Sequence, residues 1–120
     1  MAKSIMMVFI LALLGCQGTK TEISEKEKEE LRVLMENIWE LDQKHRKVAT
    51  KLRIDNKGLK TQEEIDLWEN QYVLDSLNME KVEGVIAKYG YPGKDLVGEK
   101  LKSVGAFVIL HNPSKQEQYL

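Results

Sequence analysis

Residues 31–52 read LRVLMENIWELDQKHRKVATKL, and this stretch decides the fold. Leu31, Leu34, Ile38, Leu41, His45, Val48 and Leu52 follow one another at alternating spacings of three and four. That is the period of one face of an α-helix. No glycine or proline interrupts it. Upstream, Ser24-Glu25-Lys26-Glu27 is a capping box, so the spacing predicts one helix over 25–54, ending before Gly58. His45 is the single polar residue on the apolar seam. A second band, Met35, Trp39, Asp42, Arg46 and Ala49, lies beside it, with Asp42 and Arg46 placed to pair one turn apart. Glu36, Glu40, Gln43 and Lys47 fall on the opposite face and are expected in solvent.

The downstream chain repeats this pattern. Asp55-Asn56-Lys57-Gly58 is a turn and Thr61-Gln62-Glu63-Glu64 a second capping box. A helix is expected from there to Tyr89, with the seam Ile65, Trp68, Tyr72, Asp75, Met79, Val82, Ile86 and Tyr89. Asp75 is polar where the pattern asks for an apolar residue, and a break at Asp75–Asn78 with Asp75 as a cap accounts for it. Tyr89-Gly90-Tyr91-Pro92-Gly93 stops this helix. A third helix, capped by Asp95, is expected over 96–111 with the seam Val97, Leu101, Val104, Val108 and His111. Ala106–Leu110 is apolar all round, which predicts the most buried helix of the domain. Gly98 and Gly105 would permit close backbone approach. Asn112-Pro113 ends it, and Ser114-Lys115-Gln116-Glu117 is a third capping-box pattern. The expected fold is therefore all-α, a small helical bundle of about three main helices over 25–120, following a cleaved signal peptide.

The first residues carry an address. Lys3 precedes an apolar run from Ile5 to Leu14, too short to cross a bilayer, and Leu13-Leu14-Gly15-Cys16 follows at once. This order resembles a bacterial lipobox. It predicts a lipoprotein signal peptide over 1–15, lipidation at Cys16 and a polar tether over 16–24. The expected location is the exported side of the bacterial cell envelope, with the membrane as partner through the lipid. Cys16 is the only cysteine, so the domain has no disulfide and no thiolate metal site. Over the whole chain, 18 basic residues nearly balance 19 acidic ones. Neither a nucleic-acid footprint nor a polybasic membrane patch is implied by that balance.

Three expected seams each hold one titratable residue: His45, Asp75 and His111. Asp42 and Arg46 lie beside the first. Convergence of the seams would form a mutual polar cluster, with Arg46 paired to Asp75 and a histidine to Asp42, because a buried charge needs a partner. Three functional readings compete with a purely structural cluster. Two histidines and a carboxylate could hold a divalent metal, but no HxxxH or HxH spacing supports it, and no metal or cofactor is expected. An Asp–His pair could work as general acid or base. A ligand pocket could be lined by Trp39, Trp68, Tyr72 and Tyr91. No serine, threonine or cysteine stands in a nucleophile motif. The candidate polar site is Asp42, Arg46, Asp75, Asn78 and His111, with Trp39, Gln43, His45 and Tyr91 as secondary candidates.

Taken together, Asp42-Gln43-x-x-Arg46, Asp75-x-x-Asn78, Tyr89-Gly90-Tyr91-Pro92, Gly98 and His111, with Tyr119-Leu120 after them, resemble a family of bacterial exported domains of unknown function. Its members carry a DQxxR helix, a DxxN helix, a G-(W/Y)-P turn and a QH element, and many are exported or lipid-anchored. The resemblance covers about residues 31–120. Leu110 stands where the family has glutamine. The family pattern continues with a further helix, an Asp-Arg element and a Tyr-Gly-x-Gln-like segment that do not follow Leu120, which implies only part of the family's site. The resemblance names no reaction. The expected function is a membrane-anchored lipoprotein acting as a binding or structural module, for a small-molecule or protein ligand the sequence does not identify. The alternative is a small hydrolase-like acid–base enzyme using Asp42, Asp75 and His111.

Overall fold

A computed structural model describes residues 22–120, so the predicted signal peptide, Cys16 and most of the tether lie outside the described residues. The described chain is all-α, without a strand. Its helices are α1 (Glu25–Gln43), α2 (Arg46–Asp55), α3 (Gln62–Tyr89), α4 (Lys94–Val97), α5 (Val104–Leu110) and α6 (Gln116–Tyr119), with a 3₁₀ turn at Pro113–Lys115. None of these helices is long and apolar enough to cross a membrane.

The capping box forms at the start of α1: Ser24 Oγ accepts from the Glu27 amide, and the Glu27 carboxylate accepts from the Ser24 amide. The buried stripe of α1 is Leu31, Met35, Ile38 and Asp42, which mixes the two expected bands. The helix does not continue to Ile54. It breaks at Lys44-His45 although neither residue is a helix breaker. The cause comes from α3. Gln71 Oε1 accepts from the His45 amide at 2.9 Å, and Gln71 Nε2 donates to the Leu41 carbonyl at 3.1 Å. In an uninterrupted helix those two backbone groups would bond each other. The inserted amide separates them and satisfies both, a recognised cause of helix kinks. Arg46 Nε donates to the next carbonyl, that of Asp42, at 2.9 Å. α2 then turns to pack along α3 and ends at Asp55; Lys57, at φ +53°, and Gly58, at φ +83°, are both left-handed, and the Gly58 amide donates back to the Arg53 carbonyl at 2.8 Å.

α3 is one unbroken helix of 28 residues, and the expected break at Asp75–Asn78 is absent. Asp75 and Asn78 face other helices and find partners there, so they do not compete for their own backbone. Thr61 Oγ1 caps the helix by accepting from the Glu64 amide, but the capping box is half made because the Glu64 carboxylate turns to Arg53. The buried positions are Glu64, Gln71, Asp75, Asn78, Met79, Val82 and Val85. Tyr72, expected on the seam, is exposed. The stripe is thus rotated toward its polar members in the first half and is apolar only in the second.

Gly90, at φ +86°, ends α3. The expected helix over 96–111 is two short helices instead. Gly98 has φ 86° and ψ 173°, a conformation essentially confined to glycine, and its amide closes α4 on the Lys94 carbonyl. The N-cap of α4 is Gly93, not Asp95. No atom approaches a Cβ built on Gly98, so its role is conformational, not steric. Gly105 is the reverse case: a Cβ there would lie 3.2 Å from Pro92 and Tyr91. Val97, Leu101, Val104 and Val108 are buried, as their spacing requires, but Phe107 and Leu110 are exposed, so α5 is not apolar-covered on all sides. The third capping box does not form; α6 begins after the 3₁₀ turn without a side-chain cap. Leu31, Met35, Ile38, Val82, Val85 and Ile109 join these α4–α5 residues in one core at the α1–α3–α5 contact.

Candidate functional site

Three separate parts of the chain deliver the polar residues. Gln71, Asp75 and Asn78 are spaced by four and three, so α3 presents them on one stripe. Asp42 ends the buried stripe of α1, and the break just after it swings Arg46, the first residue of α2, back toward α3. His111 and Asn112 follow the last turn of α5.

Within this assembly Arg46 Nη2 bonds the Asp75 carboxylate at Oδ2. Gln71 Nε2 donates to Asp75 Oδ1 at 2.9 Å. His111 Nδ1 lies 2.8 Å from Asp42 Oδ1, and Gln43 Nε2 donates to Asp42 Oδ2 at 2.8 Å. Every carboxylate oxygen of the two aspartates therefore has a donor from the protein itself. Arg46 Nε also stands 3.7 Å from Asp42 Oδ2, so one guanidinium faces both anions. Asn112 Nδ2 donates to the Asp75 and Val108 carbonyls, and Asn78 Nδ2 to the Ile38 carbonyl. Asn78 Oδ1 is buried without a partner among the described residues. Side-chain exposure rises from 1% at Asp42 and 4% at Asp75 to 16% at Arg46 and 26% at His111. The site is closed at its acidic centre and open at its basic edge.

An ionised carboxylate can only accept, so with Asp42 in that form Nδ1 of His111 is the donor and Nε2 is the ring atom not committed to it. Asp42, Asp75 and His111 also each place one ligand atom within 4.8 Å of the others. Two carboxylates and an imidazole are a usable donor set for a divalent ion. However, Arg46 already bonds Asp75, and Nδ1 of His111 is turned to Asp42. A metal would have to displace the guanidinium.

The secondary candidates divide. Gln43, expected in solvent, joins the site through Asp42. The His45 imidazole does not join it; only the residue's backbone is used, at the break. Trp39 packs on Phe107 with ring centroids 5.5 Å apart, and Phe107 lies 6.4 Å from the His111 ring, so Trp39 reaches the site only through Phe107. The Tyr91 hydroxyl accepts from the Ala106 amide at 3.0 Å and donates to the Lys102 carbonyl, which fixes the start of α5. Trp68 stacks near Tyr72 on the α2 side, with Arg46 over its ring at 5.8 Å. These four aromatics do not line one pocket.

Sequence reasoning missed Gln71, Asn112 and a second polar contact. Arg53 grips Glu64 with two hydrogen bonds, 2.8 Å and 2.7 Å, and the Trp68 indole donates to the same carboxylate at 3.2 Å. Hydrogen bonding from Arg53, and secondarily from Trp68, holds the Glu64 carboxyl below the usual range against the opposing effect of its burial. The signal was present in the spacing 64, 68, 71, 75, 78, a helical stripe that becomes visible once polar residues are allowed on a buried face.

Comparison of the chain with protein-family models, with curated proteins and with solved structures finds no match.

Proposed function

We propose that this chain is a bacterial envelope lipoprotein, tethered to the membrane at Cys16, whose helical domain is a binding or structural module. In this reading the Asp42–Arg46–Asp75–His111 network is an internal brace that fixes how α1, α2, α3 and α5 meet. The observation that carries it is the complete pairing of the two buried carboxylates. An acid–base catalyst needs a carboxylate or imidazole presented to a substrate; here both acids are closed off by Arg46, Gln71, Gln43 and His111. The lipobox-like order of residues 3–16 and the resemblance to exported domains support the anchor. The intact mass of the protein recovered from a bacterial membrane fraction tests it. Loss of residues 1–15 and an acyl-sized increment on Cys16 are expected. A protein with residues 1–15 retained and an unmodified thiol would overturn the anchor.

One feature favours the second reading, a small acid–base enzyme. Asp42 orients His111 through Nδ1, and His111 is the most exposed member of the network. A buried carboxylate that sets the tautomer of a rim imidazole is how such pairs are prepared for proton transfer.

A further inference from the structure

The near balance of charge over the whole chain, read above as arguing against a polybasic membrane patch, conceals a local segregation. Residues 44–60 hold seven basic residues (Lys44, Arg46, Lys47, Lys51, Arg53, Lys57 and Lys60) against Asp55 alone. Residues 61–80 hold six acidic residues and no basic one. The fold then sorts the basic set. Arg46 and Arg53 turn inward to Asp75 and Glu64, and Lys51 pairs with Asp55. Lys44, Lys47, Lys57 and Lys60 are exposed, with no carboxylate in ion-pair contact among the described residues. Three large aliphatic residues stand among these lysines in the open: Val48, 49% exposed, Ile54, 70%, and Leu59, 73%. A shallow groove of about 350 Å³ runs along α2 between Lys47, Lys51, Thr50 and Ile54. Of the six acidic residues, Glu64 and Asp75 are taken up by the inward-turned arginines. Asp66 and Glu69 lie two positions from the buried Glu64 and Gln71, so about 200° around the helix, they point away from α2.

We propose that this outer face of α2 and the turn after it form a peripheral contact for a membrane rich in anionic phospholipid. Lysines attract the headgroup phosphates, and Ile54 and Leu59 enter the headgroup–acyl boundary. Charge alone would suit any polyanion; the exposed aliphatic residues among the lysines are what select a lipid surface. The contact does not depend on Cys16.

The test uses the full chain carrying Cys16→Ser, so no acyl chain contributes. Its sedimentation with vesicles of phosphatidylcholine containing about one-third phosphatidylglycerol is compared with pure phosphatidylcholine. Any contribution of the apolar run at Ile5–Leu14 is common to both, and the ratio reads the patch. A preference for the anionic vesicles, reduced by added salt, is expected. Lys47→Gln/Lys57→Gln/Lys60→Gln should reduce it about a hundredfold, at about fivefold per lysine. Ile54→Ser/Leu59→Ser should weaken it several-fold. All five side chains are exposed, and a circular dichroism spectrum checks that each variant is folded. Equal binding to both vesicle types, or a preference untouched by the lysine substitutions, overturns the proposal. So does tight binding to a soluble polyanion such as heparin with no loss in the Ile54/Leu59 variant. Failure of the anchor appears separately, as an unmodified Cys16 in the natural chain.

Discussion

Replacing Gln71 by methionine tests the account of the helix break. Methionine keeps the length and unbranched shape of the side chain and removes the amide. Gln71 is fully buried and makes three hydrogen bonds: from the His45 amide, to the Leu41 carbonyl and to Asp75 Oδ1. A buried backbone group left unpaired costs about 1–3 kcal/mol, and a hydrogen bond to a charged group contributes about 1.5–3 kcal/mol. If the break persists, the His45 amide and one carboxylate oxygen lose their partner, while the Leu41 carbonyl keeps the Lys44 amide at 3.3 Å. If instead the break closes, the His45 amide can bond the Leu41 carbonyl directly, but α2 then swings off α3. That forfeits the Arg46–Asp75 and Arg53–Glu64 contacts and the burial of Ala49. Either route predicts a loss of about 3–5 kcal/mol. For a domain of this size that lowers the melting temperature by at least about 12 °C. Urea unfolding followed by circular dichroism measures the loss, and hydrogen exchange at the His45 amide separates the routes. It accelerates if the break persists unpaired and stays slow if the helix closes. A loss under about 1 kcal/mol with unchanged exchange at His45 would refute the idea that the amide holds the break.

Two further outcomes follow from the same contacts. Arg46→Met should cost about 3–5 kcal/mol because it strands Asp75 in the interior, whereas Arg46→Met with Asp75→Leu should recover much of that loss, as a urea series on the single and double variants would show. Glu64 gives the acid dependence. Its folded carboxyl titrates below its ordinary value of 4.5, so its contribution is present above that pH and is lost as pH falls through the lower folded value. The urea midpoint should therefore drop below about pH 4.5, and the difference between the natural chain and Glu64→Gln should shrink across that same window; a constant difference down to pH 2 would contradict it.

The all-α class was legible because the period of 31–52 is helical, and the caps at Ser24 and Thr61, the turn at Asp55–Gly58 and the stop at Gly90 follow from local chemistry that acts within a few residues. The two missed helix breaks have different causes. Gly98 could have been read as a stop, since glycine is the residue that reaches φ 86° with ψ 173° at no steric cost. The break at Lys44-His45 could not, because its agent is 26 positions away in Gln71. The site was legible as composition more than as geometry. Asp42, Arg46, Asp75 and His111 were conspicuous as charges on apolar faces, and they do meet. Gln71 and Asn112 are neutral, look like ordinary surface residues and carry no such flag. The seam of α3 was misplaced for a related reason. Counting only apolar residues rotates the stripe toward Tyr72 and away from Gln71.

The polar stripe also explains how one helix serves two ends of the domain. From Met79 onward α3 buries aliphatic side chains against α1 and α5, which drives burial without specifying direction. From Glu64 to Asn78 it buries groups that must be matched atom to atom, and a buried ion pair adds little net stability over an apolar substitute. Its effect is on arrangement. A shift of one residue along α3 would leave Asp75 without Arg46, Gln71 without the broken turn and Glu64 without Arg53, all at once. An apolar stripe would tolerate that slip far better, because methyl groups accept many neighbours. The α2 hairpin is thereby held in one register, and with α2 in place its two arginines face inward while its lysines face out. The internal network and the basic outer face are two consequences of the same break in the first helix.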